Sequence, residues 1–162
     1  MNKQSLKSKK FFFIWAAASL LCMIIIFVFS SQNSDESGAL SGSLTRRIFE
    51  VIKGWFGLSE TLPFMDTLEV IVRKTAHLSI YFVLGFCAAN AVWQATDNIL
   101  HIFLISLIWS SFYAATDEWH QYFVPGRSCM WQDWLIDTTG ILLGICVAFL
   151  IVRHIKNAKK QK

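Results

Sequence analysis

Long apolar runs separated by polar segments dominate the pattern of this chain. There are four of them, at 11–29, 78–92, 99–115 and 134–152. A helix needs about 20 predominantly apolar residues to cross the hydrocarbon layer of a membrane. The second run is shorter than this, so its helix must bring charged neighbours close to the membrane. The pattern predicts an all-α fold, a multi-pass membrane four-helix bundle.

The segment between the first two runs contains a helix of another kind. After a polar loop at 30–42, apolar residues recur at helical spacing and charged residues take the opposite side. The apolar positions are Leu44, Ile48, Val51, Ile52, Trp55 and Phe56, and the charged ones are Arg46, Arg47, Glu50 and Lys53. Ser43 is the expected N-cap, and Gly54 or Gly57 the expected end. Because this amphipathic helix is too short and too charged to span, we expect it at the membrane interface. A lid packed over the mouth of the bundle is the alternative.

Capping and helix-breaking residues set the other helix boundaries. Asp66 and Glu69 form a capping pattern, and the helix they introduce is expected from about Met65 to Gln94. The third spanning helix can continue through 117–123, since Pro125 is the first residue that lacks the backbone donor a helix needs. The polar residues that follow the third run are therefore predicted to lie on its helix.

The composition supports a membrane setting. Of the 162 residues, 54% are hydrophobic and 16% are charged, which is too apolar for an ordinary soluble domain. Lys and Arg cluster in both terminal segments, and the net charge is +4. Such clusters mark the cytoplasmic side of spans, and an even number of spans places both termini there. No base-stacking motif accompanies the basic charge, so nucleic-acid binding is not expected.

The first apolar run is expected to be retained in the protein. It follows basic residues, as the core of a secretory signal does, but it is long for such a core and no A-x-A cleavage pattern follows it. With this run retained, the segments at 30–70 and 116–133 face outward.

Polar side chains capable of chemistry gather between the third and fourth runs and at the start of the fourth. They are Asp117, Glu118, His120, Gln121, Arg127, Asp133 and Asp137. On the second spanning helix, Lys74, His77 and Tyr81 form one stripe, because helical turns separate them. On the last helix, Gly140 and Gly144 continue the side of Asp137 and allow a neighbouring helix to approach closely. These helix ends share one membrane face, so the sequence predicts a single polar site at the outer end of the bundle.

The motifs resemble those of the VanZ-like family, small membrane proteins named after a teicoplanin-resistance protein. They read Lys74-Thr75-Ala76-His77, Thr116-Asp117-Glu118-Trp119-His120-Gln121, Pro125-Gly126-Arg127, Asp133 with Asp137 and Gly140, and Ser30-Ser31-Gln32. The resemblance implies a multi-pass protein of the cell membrane that lowers susceptibility to teicoplanin-type glycopeptides. Together with the charge pattern, it divides the chain into a membrane domain at 11–152 and basic cytoplasmic tails at 1–10 and 153–162.

One hypothesis is an intramembrane enzyme that acts on a lipid-linked substrate at the outer leaflet. The candidate catalytic residues are His77, Glu118, His120, Asp133 and Asp137, since His titrates near neutral pH and a carboxylate can orient it or act as the base. The candidate substrate-binding residues are Lys74, Asp117, Gln121, Arg127 and Gln32, with the cations holding an anionic group such as a phosphate. The expected partners are membrane lipids and a lipid-linked cell-wall precursor.

Two other interpretations use the same residues. A binding or shielding protein would hold and mask the headgroup without turnover. A structural network of ion pairs would only fix the register of the helices, and paired charge swaps would then rescue single variants. No cofactor is expected, and a divalent metal is a variant supported only by ligand types, because no H-E-x-x-H motif is present.

Overall fold

Five helices account for nearly all of the described chain. A computed structural model describes residues 8–57, 62–127 and 129–160. The helices are α1 (Lys9–Ser30), α2 (Ser34–Phe56), α3 (Leu62–Ala95), α4 (Ile99–Gln121) and α5 (Trp131–Lys160). Four are long and apolar enough to cross a membrane: α1, α4, Phe64–Ala95 of α3 and Trp131–Ile155 of α5. The predicted all-α, multi-pass membrane bundle is confirmed.

The polar loop expected at 30–42 is wrong, because α2 begins at Ser34 and includes most of that segment. Asn33 is its N-cap, with Oδ1 accepting a hydrogen bond from the Glu36 backbone N at 2.8 Å. Glu36 returns a bond, its Oε2 accepting from the Asn33 backbone N at 3.3 Å. This reciprocal capping box stabilises a helix start within a Ser-rich segment. Ser43 therefore lies inside α2, whereas Gly57 ends the helix in a left-handed conformation with φ of 63°.

The other boundaries move by a few residues. α3 begins at Leu62, so Asp66 lies within the helix and does not cap it. α4 ends at Gln121, ahead of the expected continuation through 117–123. α5 continues to Lys160, so the segment from 153 onwards extends this helix. Residues 1–7 of the predicted N-terminal tail and 161–162 of the C-terminal tail lie outside the described residues.

The closest packing in the bundle joins α3 to α5 through glycines. A Cβ added to Gly140 or Gly144 would overlap the α3 backbone, and one added to Gly85 would overlap the α5 backbone at Ile141. Small residues of this kind let two helices touch backbone to backbone in a membrane. The predicted close approach of the last helix is thus found, and its partner is the helix that carries Lys74 and His77.

Contacts at the bundle ends show which end carries the polar residues. The Ser8 backbone N donates to Gln94 Oε1 at 3.2 Å, and the rings of Trp93 and Phe149 lie 6.4 Å apart. The start of α1, the end of α3 and the late part of α5 therefore share one end. Lys74 precedes Gln94 on α3 by about 30 Å at the helical rise of 1.5 Å per residue. This matches the hydrocarbon thickness of a membrane, so Lys74 lies at the opposite end.

α2 packs against the first part of α3. Phe49 is fully buried, its ring centroid lies 5.9 Å from that of Phe64, and Ser41 Oγ donates to Glu69 Oε1 at 2.6 Å. Leu40 and Leu44 of α2 remain about half exposed. The position of α2 relative to a membrane surface stays a prediction, but its start reaches the polar end of the bundle, as in the lid alternative.

Candidate functional site

A polar cavity of about 90 Å³ opens at the end of the bundle opposite Ser8 and Gln94. Its wall combines residues from α2, α3, the end of α4, the loop that follows it, and α5. These include Ser34, Ser37, Arg73, Lys74, His77, Gln121, Arg127, Asp133 and Asp137. The geometry thus brings together six of the residues that the sequence singled out, five on the helices expected to carry them and Arg127 in the loop after α4.

His77 and Asp137 form the innermost pair of this cavity. The distance from His77 Nδ1 to Asp137 Oδ1 is 3.5 Å, which is ion-pair distance. The Asp137 side chain is fully buried, and neither of its oxygens makes a hydrogen bond to the described residues. His77 is partly exposed to the cavity. An imidazole that faces a cavity and has a buried carboxylate behind it can accept and donate a proton while its ring orientation is held.

Lys74 and Asp133 form a second pair nearer the rim. Lys74 Nζ donates to Asp133 Oδ1 at 2.6 Å, and about a third of each side chain is exposed. Water screens a pair of this kind, so it contributes little to folding stability. The pair nevertheless fixes a cation and an acid beside the cavity, as the sequence predicts.

A chain of hydrogen bonds connects α3 to the loop after α4. The buried Tyr81 hydroxyl donates to Asp117 Oδ2 at 3.1 Å, and Gln121 Nε2 donates to the same oxygen at 3.2 Å. Arg127 Nη1 in turn donates to Gln121 Oε1 at 3.4 Å. The structure gives the buried Tyr81 hydroxyl a hydrogen-bond partner among the candidate site residues. Asp117 therefore orients Gln121 and lies behind the cavity wall.

Arg127 also fastens its loop to the end of α1. Its Nε donates to the Gln32 backbone O at 3.3 Å, and its Nη2 donates to the Phe29 backbone O at 3.3 Å. A cationic side chain is favourable at the carbonyl end of a helix. Gln32 thus takes part through its backbone, and a ligand contact from its side chain stays a prediction. A guanidinium has five N–H groups, so two are not used in the described contacts.

The turn before Arg127 fits closely against α2. Gly126 has a φ of 75°, and a Cβ on it would overlap the side chain of Ser34. The Ser34 backbone N donates to the Pro125 backbone O at 3.2 Å. The predicted Pro-Gly-Arg motif therefore attaches the loop after α4 to the end of α1 and to the start of α2.

Glu118 and His120 are site candidates that contribute no surface to the polar cavity. Glu118 is buried, with Oε2 accepting from the Met130 backbone N at 3.2 Å. The ring of His120 packs against Phe27 of α1, with centroids 4.9 Å apart. Neither residue lines the cavity. The contacts give Glu118 a part in holding the loop before α5, while catalytic roles for both residues stay predictions.

The electrostatics of the cavity favour an anion. Arg73 and Arg127 both line it, and Lys74 lies beside them. Burial lowers the pKa of Arg127, and the neighbouring charge of Arg73 lowers it further. Two guanidinium groups on the wall of one cavity gain stabilisation from a shared anion. The described ranges contain no group of three His, Cys, Asp or Glu side chains that could hold a metal ion.

An apolar groove of about 540 Å³ adjoins the polar cavity. It lies between α1, α2 and α3, with a wall that includes Ile25, Ile26, Phe29, Leu40, Leu44, Ala76 and Ile80. Arg73, His77 and Arg127 line both the groove and the cavity. The two spaces therefore meet at the cationic side chains.

Sequence reasoning missed the groove and did not select Arg73 as a site residue. The groove was missed in part because Ser37, Leu40 and Ser41 of its α2 wall fall in the segment expected to be a loop. The signal for Arg73 was its position four residues before His77, which places both on one face of α3. The signal for α2 was the Asn33 and Glu36 spacing, a capping-box pattern.

The comparisons with known proteins place this architecture in a family. No curated protein matches the chain, and no solved structure matches it. The sequence model of the VanZ/LLP1 family matches residues 15–152. The match runs from within α1 to within α5 and covers all the motifs of the polar site. The chain belongs to the VanZ/LLP1 family.

Proposed function

We propose that this protein binds the anionic headgroup of a membrane lipid or lipid-linked cell-envelope precursor in its polar cavity. The observation that carries the proposal is the pair of neighbouring guanidinium groups, Arg73 and Arg127, on the wall of a cavity within a membrane bundle. Guanidinium groups match the geometry of phosphate and carboxylate oxygens. Lys74 adds a third cation, although Asp133 offsets its charge.

A specific observation favours turnover as a second candidate function. His77 faces the cavity with the buried Asp137 carboxylate behind it. In that position His77 can act as general base or acid towards a bound headgroup, while Asp137 orients the ring and stabilises its protonated form. The site would then act on its ligand as well as hold it.

The family resemblance connects this site to glycopeptides. A protein that binds or alters a lipid-linked wall precursor would change the target of teicoplanin-type antibiotics and lower susceptibility to them. In this proposal the cavity lies at the outer face of the cell membrane, and both termini are cytoplasmic. The Lys and Arg clusters at the chain ends support that orientation.

The test compares cells that express wild type, Arg73→Gln and His77→Asn. Lipids and lipid-linked wall precursors are profiled, and teicoplanin susceptibility is measured in parallel. The matched controls are Arg46→Gln and His101→Asn, since both residues are exposed and neither lines the cavity. Membrane levels of each variant are measured to exclude loss of the protein.

Each outcome separates the candidate functions. A lipid species that appears or disappears with wild type but not with His77→Asn supports turnover. Identical lipid profiles, with susceptibility that depends on Arg73 but not on His77, support binding without chemistry. If Arg73→Gln and His77→Asn both behave like their controls in every measurement, the proposed function is wrong.

A further inference from the structure

The apolar groove has the dimensions and lining of a ligand site. Its volume of about 540 Å³ lies within the range of roughly 300–1,000 Å³ that is typical of such sites. α3 contributes Val72, Ala76 and Ile80 as one wall. The end of α1 contributes a second wall, and Leu40 and Leu44 of α2 contribute the third. This lining suits a hydrocarbon chain.

The groove and the polar cavity meet at two cations, because Arg73 and Arg127 line both spaces. Arg47 lines the groove only, and Asp117 adds one carboxylate to the groove lining. No carboxylate among the described residues lies within ion-pair distance of Arg47 or Arg73. An anionic group at this junction would therefore meet Arg73 without a paired acid. It would also meet Arg127, whose hydrogen bonds go to backbone and amide oxygens.

We infer that groove and cavity together form one site for a phosphate-bearing lipid. One hydrocarbon chain lies in the groove between α1, α2 and α3. The phosphate lies between Arg73 and Arg127, and the rest of the headgroup enters the cavity beside His77. The inference rests on the proposed function and adds to it the chemical class and orientation of the ligand.

Charge and apolar lining together select this occupant. A free phosphate would use the guanidinium groups and leave the groove unfilled. A neutral lipid would fill the groove and leave Arg73 and Arg127 without an anion. A phosphate-bearing lipid satisfies both surfaces, because its apolar and anionic parts join where groove and cavity join.

The experiment measures lipid binding to the full-length protein in detergent micelles by native mass spectrometry. The probes are dioleoyl phosphatidic acid, dihexanoyl phosphatidic acid, dioleoylglycerol and inorganic phosphate. Ala76→Trp fills the groove, and Arg73→Gln removes the charge at the junction. Their matched controls are Ala115→Trp and Arg46→Gln, at exposed positions that line neither space.

We expect wild type to bind dioleoyl phosphatidic acid more tightly than the other three probes. Ala76→Trp should weaken that binding by roughly tenfold and leave dihexanoyl phosphatidic acid unaffected. Arg73→Gln should weaken binding of both phosphatidic acids, and the two controls should bind as wild type does. This combination of results would place the hydrocarbon chain of the lipid in the groove and its phosphate where the groove meets the cavity.

Other results overturn the inference in distinguishable ways. Arg73→Gln could weaken the binding of both phosphatidic acids while Ala76→Trp changes the binding of neither. The hydrocarbon chain then lies outside the groove, and the proposed headgroup site stands without it. If inorganic phosphate binds as tightly as dioleoyl phosphatidic acid, the groove contributes nothing. If Arg73→Gln binds every probe as wild type does, the inference and the proposed function both fail.

Discussion

Two carboxylates of α5, one turn apart, occupy opposite environments. Asp133 lies near the rim and bonds Lys74, whereas Asp137 is fully buried and faces His77. A buried charge that loses its only partner is far more costly than a screened pair that separates. The two acids should therefore respond differently to substitution, although the sequence presents them as similar members of one motif.

His77 and the buried Asp137 should be energetically coupled. His77→Ala should lower the free energy of unfolding by about 3 kcal/mol, because it leaves Asp137 without its partner. Adding Asp137→Asn should restore about 1–3 kcal/mol, since the unpaired charge is then removed. Denaturant-induced unfolding in micelles measures all variants of the cycle. Simple additivity of the two single effects would contradict the pairing.

The rim pair should contribute to function and not to stability. Lys74→Ala should change the free energy of unfolding by less than about 1 kcal/mol, because water screens the pair. Its effect on ligand binding should be larger, since the cation lies at the cavity. The charge swap Lys74→Asp with Asp133→Lys tests the purely structural interpretation. If the swap restores function to the wild-type level, the pair serves only to fix helix register.

At the scale of elements, α3 organises the molecule because α1, α2, α4 and α5 all contact it. Its first part packs against α2, and its middle part carries Lys74 and His77 to the polar cavity. The glycine contacts with α5 then fix the register in which His77 faces Asp137. The site geometry therefore depends on packing deeper in the bundle.

The glycine contacts predict which small substitution is harmful. Gly144→Ala should destabilise the bundle by about 3 kcal/mol, because its Cβ would overlap the α3 backbone at Phe82. Gly38→Ala on α2 is the control, since a Cβ there has nothing within 4 Å. The control should keep or slightly raise stability, as alanine favours helix by up to about 1 kcal/mol over glycine. Equal unfolding midpoints for the two variants would contradict the packing.

The attachment of α2 should depend on Phe49. This ring is fully buried against α3, so Phe49→Ala should weaken the contact by about 3 kcal/mol. Hydrogen exchange should then accelerate across α2 while α4 and α5 keep their protection. Phe56→Ala is the matched control, because 71% of Phe56 is exposed. Faster exchange throughout the molecule would show that α2 does not respond as a separate element.

At the scale of the whole molecule, the apolar runs were sufficient to predict the architecture. Burial in a membrane needs only length and apolarity, and both can be read from single runs such as 99–115. The sequence also predicted that Lys74, His77 and Asp137 lie at the same end of the bundle, because successive spanning helices run in opposite directions. The orientation of His120 towards Phe27 could not be predicted, since it depends on the rotation of α4 against α1. The groove could not be predicted either, because it exists only where three helices meet.

The orientation in the membrane makes a prediction for labelling. Cys129 is exposed in the loop before α5, at the end opposite Ser8 and Gln94. A membrane-impermeant maleimide should therefore label Cys129 in intact cells, and Cys129→Ser should remove this signal. Lys10→Cys in the Cys129→Ser background should react only after the membrane is opened. Labelling of Lys10→Cys in intact cells would reverse the proposed orientation.

The backbone contact between α3 and α5 has a consequence for how a ligand reaches the site. Helices that touch along glycines cannot separate easily, so the yielding walls are those formed by α1 and α2. If α2 lies at the membrane surface as predicted, an opening on that side would face the bilayer, and a lipid could enter laterally without passing through water. Occupancy of the site would then depend on the number of such lipids per unit area of the leaflet. Depleting the lipid from one membrane region would leave every copy of the protein there without ligand.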